Sequence, residues 1–192
     1  MVISPFLVSG FTIVVGLVGL ILVLIGVKGL SDHYREASIF NNSLYGVILS
    51  IVGGVVFVAA LFVTALSFFT NVLGIELSTA WSDPTVFSNI DWAEAIIFEN
   101  LMAHVAALLG SFIVLFIFVV VAAIFYRKSL TTLAEKTGIG LFGTAGLLLL
   151  VGAVLTIIAI GFLLMWVALI LLIVAFFRIR AEPAQPSSVT PS

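Results

Sequence analysis

The chain has 192 residues, 63% of them hydrophobic and only 8% charged, with a mean hydropathy of +1.40 and a formal net charge of −2. A soluble domain carries about a quarter charged residues and lacks the interior to hide this much apolar surface. A water-soluble fold is therefore excluded. Without a basic tract, nucleic acid is a poor partner, and without cysteine there are no disulfides, thiolate metal sites or cysteine nucleophiles.

A membrane-crossing helix needs about 20 apolar residues, because the hydrocarbon core is about 30 Å thick and each residue rises about 1.5 Å. The first predicted span is 6–27, which ends at Lys28. Met1 to Pro5 lacks the basic segment of a secretory signal, and no small-residue cleavage site follows, so this run reads as a retained helix inserted N-terminus outward. A second span is predicted over 44–69. An outer acidic loop, 70–95, follows with Glu76, Asp83, Asp91 and Glu94 and no basic residue. Trp81 and Trp92 suit the interface, and Asp83-Pro84 makes a turn. The third span, 96–126, is approached by Asp91 and Glu94 at capping-box spacing, which leaves Glu94 and Glu99 in the outer interface.

The stretch 139–177 is nearly twice too long for one crossing, so it divides into spans 141–159 and 162–177 with a reversal near Gly161. Charge decides the division. All Lys and Arg residues fall in three patches: Lys28 and Arg35; Arg127, Lys128 and Lys136; Arg178 and Arg180. Five spans put the three patches on one side of the membrane, whereas four would strand the last. By the positive-inside rule that side is cytoplasmic, with the N-terminus outside and the C-terminus inside. The sequence thus predicts an all-α, polytopic transmembrane helix bundle over 1–180 and a disordered cytoplasmic tail over 181–192, rich in Pro, Ser and Thr.

Lys28 to Gly53 and Arg127 to Gly152 look alike at a spacing of about 99 residues, with Glu36 against Glu135 and Ser38 against Thr137. One reading is a parallel repeat of two hairpins plus a fifth helix, an architecture transporters use. The other is chance likeness between apolar sequences. Each polar elbow has the pattern of a short interfacial helix: Thr132 and Glu135 at capping-box spacing in one, Leu30, Tyr34 and Phe40 as an apolar edge in the other.

Small residues line three helix faces: Gly16, Gly19, Gly26 and Gly29; Gly46, Ser50 and Gly54; Ala145, Gly152, Thr156 and Ala159. Such faces let backbones approach closely, and intrachain packing is the expected use, ahead of self-association or a substrate path. Asn100, His104, Ala107 and Ser111 share a face of the third helix, which points His104 into the bundle. Intramembrane ionisable groups are candidates for function, but His104 sits near the outer boundary, where a polar side chain costs little. His33 lies in an elbow on the other side, and no zinc, phosphate-loop, nucleophile-elbow or dinucleotide motif occurs. Asn41-Asn42-Ser43 is a formal glycosylation acceptor on the cytoplasmic side, where it stays unmodified. No catalytic, cofactor-binding or metal residues are assigned.

Two blocks carry a family resemblance. One is Ile21 to Asp32 continued by Tyr34 and Ile39-Phe40-Asn41-Asn42; the other is Tyr126 to Leu130, Leu133 to Gly138, Leu141-Phe142 and Gly152-Ala153. They resemble the archaeal and bacterial membrane-protein family termed domain of unknown function nine-nine-six. The resemblance implies an uncharacterised, multi-pass integral membrane protein of archaeal type, and brings with it no activity, cofactor or site.

The expected function is a non-enzymatic accessory, scaffold or lipid-associated subunit of the cell membrane, without a cofactor. Its partners would be the lipid bilayer and other membrane subunits, or a second copy met through glycine-rich faces. The alternative is a small transporter or channel working as a homo-oligomer.

Overall fold

Proline is absent from the interior of every apolar run, and Pro5 and Pro84 each open a helix, where a missing N–H does no harm. The runs between them therefore have nothing to stop them coiling. The computed structural model describes residues 5–75, 78, 82–90, 98–158 and 160–179. Every element among them is helical. In chain order they are α1 (Pro5–His33), α2 (Ala37–Ser67) continued by a π-helical turn (Phe68–Val72), a 3-10 helix (Pro84–Asn89), α3 (Phe98–Thr137), α4 (Gly140–Leu155), a 3-10 turn (Thr156–Ile158) and α5 (Ile160–Arg178).

Among the described residues, five helices are long and apolar enough to cross a membrane. Their large side chains stay uncovered: Leu22, Leu163 and Trp166 are 63%, 68% and 69% exposed. A soluble monomer does not carry such a surface, whereas in lipid it costs nothing.

The helices overrun the predicted spans at their basic ends. α1 continues past Lys28 to His33, supported by a Lys28–Asp32 ion pair of 2.6 Å one turn apart. α3, with 40 residues, is about 60 Å long, twice the hydrocarbon thickness. The interfacial elbow helices expected from the sequence do not form. Thr132 caps nothing, because it lies inside α3 and its hydroxyl donates to the Lys128 carbonyl at 3.1 Å. Leu30, Tyr34 and Phe40 are partly buried and pack against a protein core. The turns that end α1 and α3 fall at Arg35 and Gly138, whereas the likeness at about 99 residues would pair Arg35 with Ala134, so the two elbows do not turn in that register.

The chain forms two compact units, one from Met1–Asn42 and Tyr126–Ser192, the other from Ser43–Phe125. In the first, Val27, Ile39, Leu133, Phe142 and Ala175 make a buried cluster that gathers the basic ends of the helices. Phe142 and Ile39 are fully buried, and the Phe142 ring meets Phe176 edge-on at 5.1 Å. Glycine lets α4 and α5 close up: a Cβ on Gly161 would strike the Gly152 carbonyl oxygen and the Thr156 backbone nitrogen. The reversal itself is the 3-10 turn before α5, so Gly161 marks the close approach of two helices; Ala159 lies outside the described residues.

In the second unit α2 and α3 pack through Tyr45 on Phe125 (5.6 Å) and Phe57 on Phe112 (5.1 Å), with Gly53 against Phe118. The three small-residue faces divide. Gly152 packs within the chain, but Gly16, Gly19, Gly26, Gly29 and Gly54 have open space where a Cβ would stand.

Candidate functional site

In the second unit the polar centre is His104. Its Nε2 lies 3.3 Å from Ser67 Oγ, and that hydroxyl also accepts from Asn71 Nδ2 at 3.0 Å. The Phe68 ring meets the imidazole edge-on at 5.7 Å, and His104 is half-buried. The α2 backbone changes pitch at this point. Leu73 N–H donates to the Phe68 carbonyl in a π-helical turn, Thr70 Oγ1 donates to the carbonyls of Leu66 and Ser67, and Gly74 (φ 64°) ends the segment in the left-handed region. π-Helical turns recur at functional sites, where they re-aim side chains. Here the turn carries Asn71, which reaches back to Ser67.

Ser67 and Asn71 were not singled out from sequence. Of the face expected around His104, Ser111 bonds within its own helix, donating to the Ala107 carbonyl at 2.8 Å. The side chains of Glu99 and Asn100 lie outside the described residues, as do Glu76, Trp81, Asp91, Trp92 and Glu94 of the acidic loop, Arg180, and the tail at 181–192. Asp83 is described, and it caps the 3-10 helix by accepting from the Thr85 N–H at 3.0 Å; the Thr85 hydroxyl and N–H hold its carboxyl below its ordinary pKa. Imidazole, hydroxyl and amide together form a hydrogen-bonding cluster without a carboxylate among the described residues, and no three His, Asp or Glu side chains converge there.

The second polar centre belongs to the first unit, where the α1–α2 elbow lies along the end of α3. α1 closes with a double turn: Glu36 N–H donates to the Ser31 carbonyl and Arg35 N–H to that of Asp32, which puts Arg35 at φ 51°. That position after a helix usually holds glycine, as Gly138 does (φ 70°) after α3. The elbow is clasped to α3 twice. Buried Ser129 donates to the Ile39 carbonyl at 2.6 Å, and Lys136 pairs with Glu36 at 3.1 Å. The Ser38 hydroxyl and then Lys136 lower the Glu36 pKa. A lowered pKa means that this clasp is in force at neutral pH and is lost as pH falls through it. Asn41-Asn42-Ser43 is helical here, with Ser43 buried.

Three hydroxyls within the apolar runs are satisfied locally. Ser50 donates to Gly46, Ser111 to Ala107 and Thr156 to Gly152, each to the carbonyl four residues back at 2.8 to 2.9 Å. Such back-bonding lets a hydroxyl sit in an apolar surrounding without water.

These features define an all-helical, multi-pass membrane-type protein. The chain belongs to the family described as Protein of unknown function (DUF996), whose model matches residues 15–170 and so takes in both elbows, Ser67 and His104. It is 26% identical over 166 residues to the uncharacterised protein MJ1644 of Methanocaldococcus jannaschii, an alignment that covers 86% of this chain and 80% of that relative. No solved structure matches it significantly.

Proposed function

We propose that this chain is a non-enzymatic accessory or scaffold subunit of the cell membrane, with its basic helix ends in the cytoplasm and its N-terminus outside. The carrying observation is that Ser50, Ser111 and Thr156 each spend their hydroxyl on their own helix. A transport path needs side chains or backbone that replace a solute's water, and the donors of these three hydroxyls are already engaged. The open glycines of α1 and the uncovered Gly54 fit a chain that offers helix faces to neighbouring subunits. The orientation rests on the positive-inside rule.

The second reading, a small homo-oligomeric transporter or channel, draws on the Ser67–Asn71–His104 cluster beside the π-helical turn. Gentle detergent extraction at native expression level, followed by native sizing and identification of co-purifying proteins, separates the two. A stable hetero-assembly is the expected result. A monomer or homo-oligomer whose solute flux falls on His104→Ala contradicts the subunit reading.

A further inference from the structure

The basic end of the first unit holds more positive charge than its own carboxylates balance. Six basic and three acidic residues are described there, and two of the acids are already engaged, Asp32 with Lys28 and Glu36 with Lys136. Arg35, Arg127 and Arg178 are exposed and form no ion pair among the described residues. The fold collects them. Arg178 leaves α5 three residues after Ala175 of the buried cluster, and Arg35 precedes Ile39 of the same cluster in the elbow. The Arg127 backbone lies against Gly146 of α4, and Ser129, two residues on, bonds the Ile39 carbonyl.

Arg35 adds a second argument. Its left-handed backbone is one that an L side chain rarely adopts, and the turn after α3 uses glycine for the same purpose. An arginine kept where glycine is less strained points to a use for the guanidinium. Exposed arginines that flank membrane-crossing apolar runs, as Arg127 does ten residues before the end of α3, stand at headgroup depth, and the guanidinium fork matches phosphate geometry. We propose that Arg35, Arg127 and Arg178 form a binding surface for the phosphate headgroups of anionic lipid in the leaflet that this end faces. The inference needs the chain in a membrane but not the orientation or the subunit role proposed above.

The test uses the full chain reconstituted in an equimolar mixture of phosphatidylcholine and phosphatidylglycerol, then washed in zwitterionic detergent, with retained lipid measured by native mass spectrometry. Wild type is expected to retain phosphatidylglycerol preferentially. Each of Arg35→Gln, Arg127→Gln and Arg178→Gln should lower that preference about fivefold, as befits one basic residue near an anionic surface. Arg35→Gly should lose lipid preference while melting at a higher temperature than wild type, a pairing that a purely structural arginine would not give. Wild type without a preference, or the triple glutamine variant retaining it, would overturn the proposal. So would inorganic phosphate binding the lipid-free chain more tightly than phosphatidylglycerol does, which would assign the surface to a soluble anion. None of these outcomes bears on native size or protein partners, so the subunit reading stands or falls separately.

Discussion

Phe142→Ala should destabilise the first unit by about 3–5 kcal/mol, the usual range for emptying a buried aromatic site. Phe142 is fully buried, shares a cluster with Ile39 and Leu133, and stacks edge-on with Phe176 at 5.1 Å. That cluster ties the α1–α2 elbow, the end of α3, the start of α4 and the end of α5 into one body. In lipid the hydrophobic drive between helices is weak, so shape-matched contacts of this kind carry the tertiary structure. Thermal unfolding in a mild detergent measures the effect. Leu163→Ala is the control, since Leu163 is largely exposed and its truncation should shift the melting temperature little. Equal melting of the two variants would mean that the basic ends are not packed as described.

Gly161→Ala is the second large effect, with an expected cost of about 3 kcal/mol, the upper end of ordinary overpacking. The added Cβ would collide with the Gly152 carbonyl oxygen, the Thr156 nitrogen and the Leu155 carbonyl carbon. All three are backbone atoms, so no rotamer change relieves the clash. At Gly152 the nearest atom is Met165 Cγ at 2.8 Å, on a flexible side chain, and the backbone atoms, Gly161 O at 3.0 Å and Met165 N at 3.3 Å, lie farther off than those at Gly161, so Gly152→Ala should cost less. Gly54→Ala meets nothing within 4 Å and should melt like wild type. Gly161→Ala behaving like Gly54→Ala would contradict the close α4–α5 approach.

Much of the fold was legible because it depends on quantities a sequence carries directly. Lengths of apolar runs give the number of helices, and the division of 139–177 followed from the position of Arg178 and Arg180 as much as from Gly161. Helix ends were read less well. Lys28 and Arg127 bound the predicted spans, yet a charged side chain does not end a helix; α1 and α3 run on until a residue adopts positive φ, Arg35 in one case and Gly138 in the other. Gly138 was a visible signal, but Arg35 was not, since arginine is no breaker by type. His104 stood out as an ionisable group in an apolar run, whereas its contact with Ser67, 37 residues away, arises only from α2 and α3 packing side by side. The π-helical turn was hidden for a similar reason: Thr70 and Asn71 mark a polar stretch, but not the change of pitch that lets Asn71 reach Ser67.

Single-cysteine accessibility in native membranes tests the central claim of a dry, scaffold-type bundle most directly, and the chain offers no cysteine of its own to confuse it. The reporter positions are Thr131 and Ser82, both exposed, with Ser50 and Ser111 on the long apolar helices. Ser129 would be a poor reporter, buried as it is against the Ile39 carbonyl. With a membrane-impermeant thiol reagent, Thr131→Cys should react only from the cytoplasmic side and Ser82→Cys only from outside. Ser50→Cys and Ser111→Cys should react from neither side. Labelling at Ser50 or Ser111 would reveal a water-filled path through the helices and contradict the scaffold account, and reversed labelling at Thr131 and Ser82 would contradict its orientation.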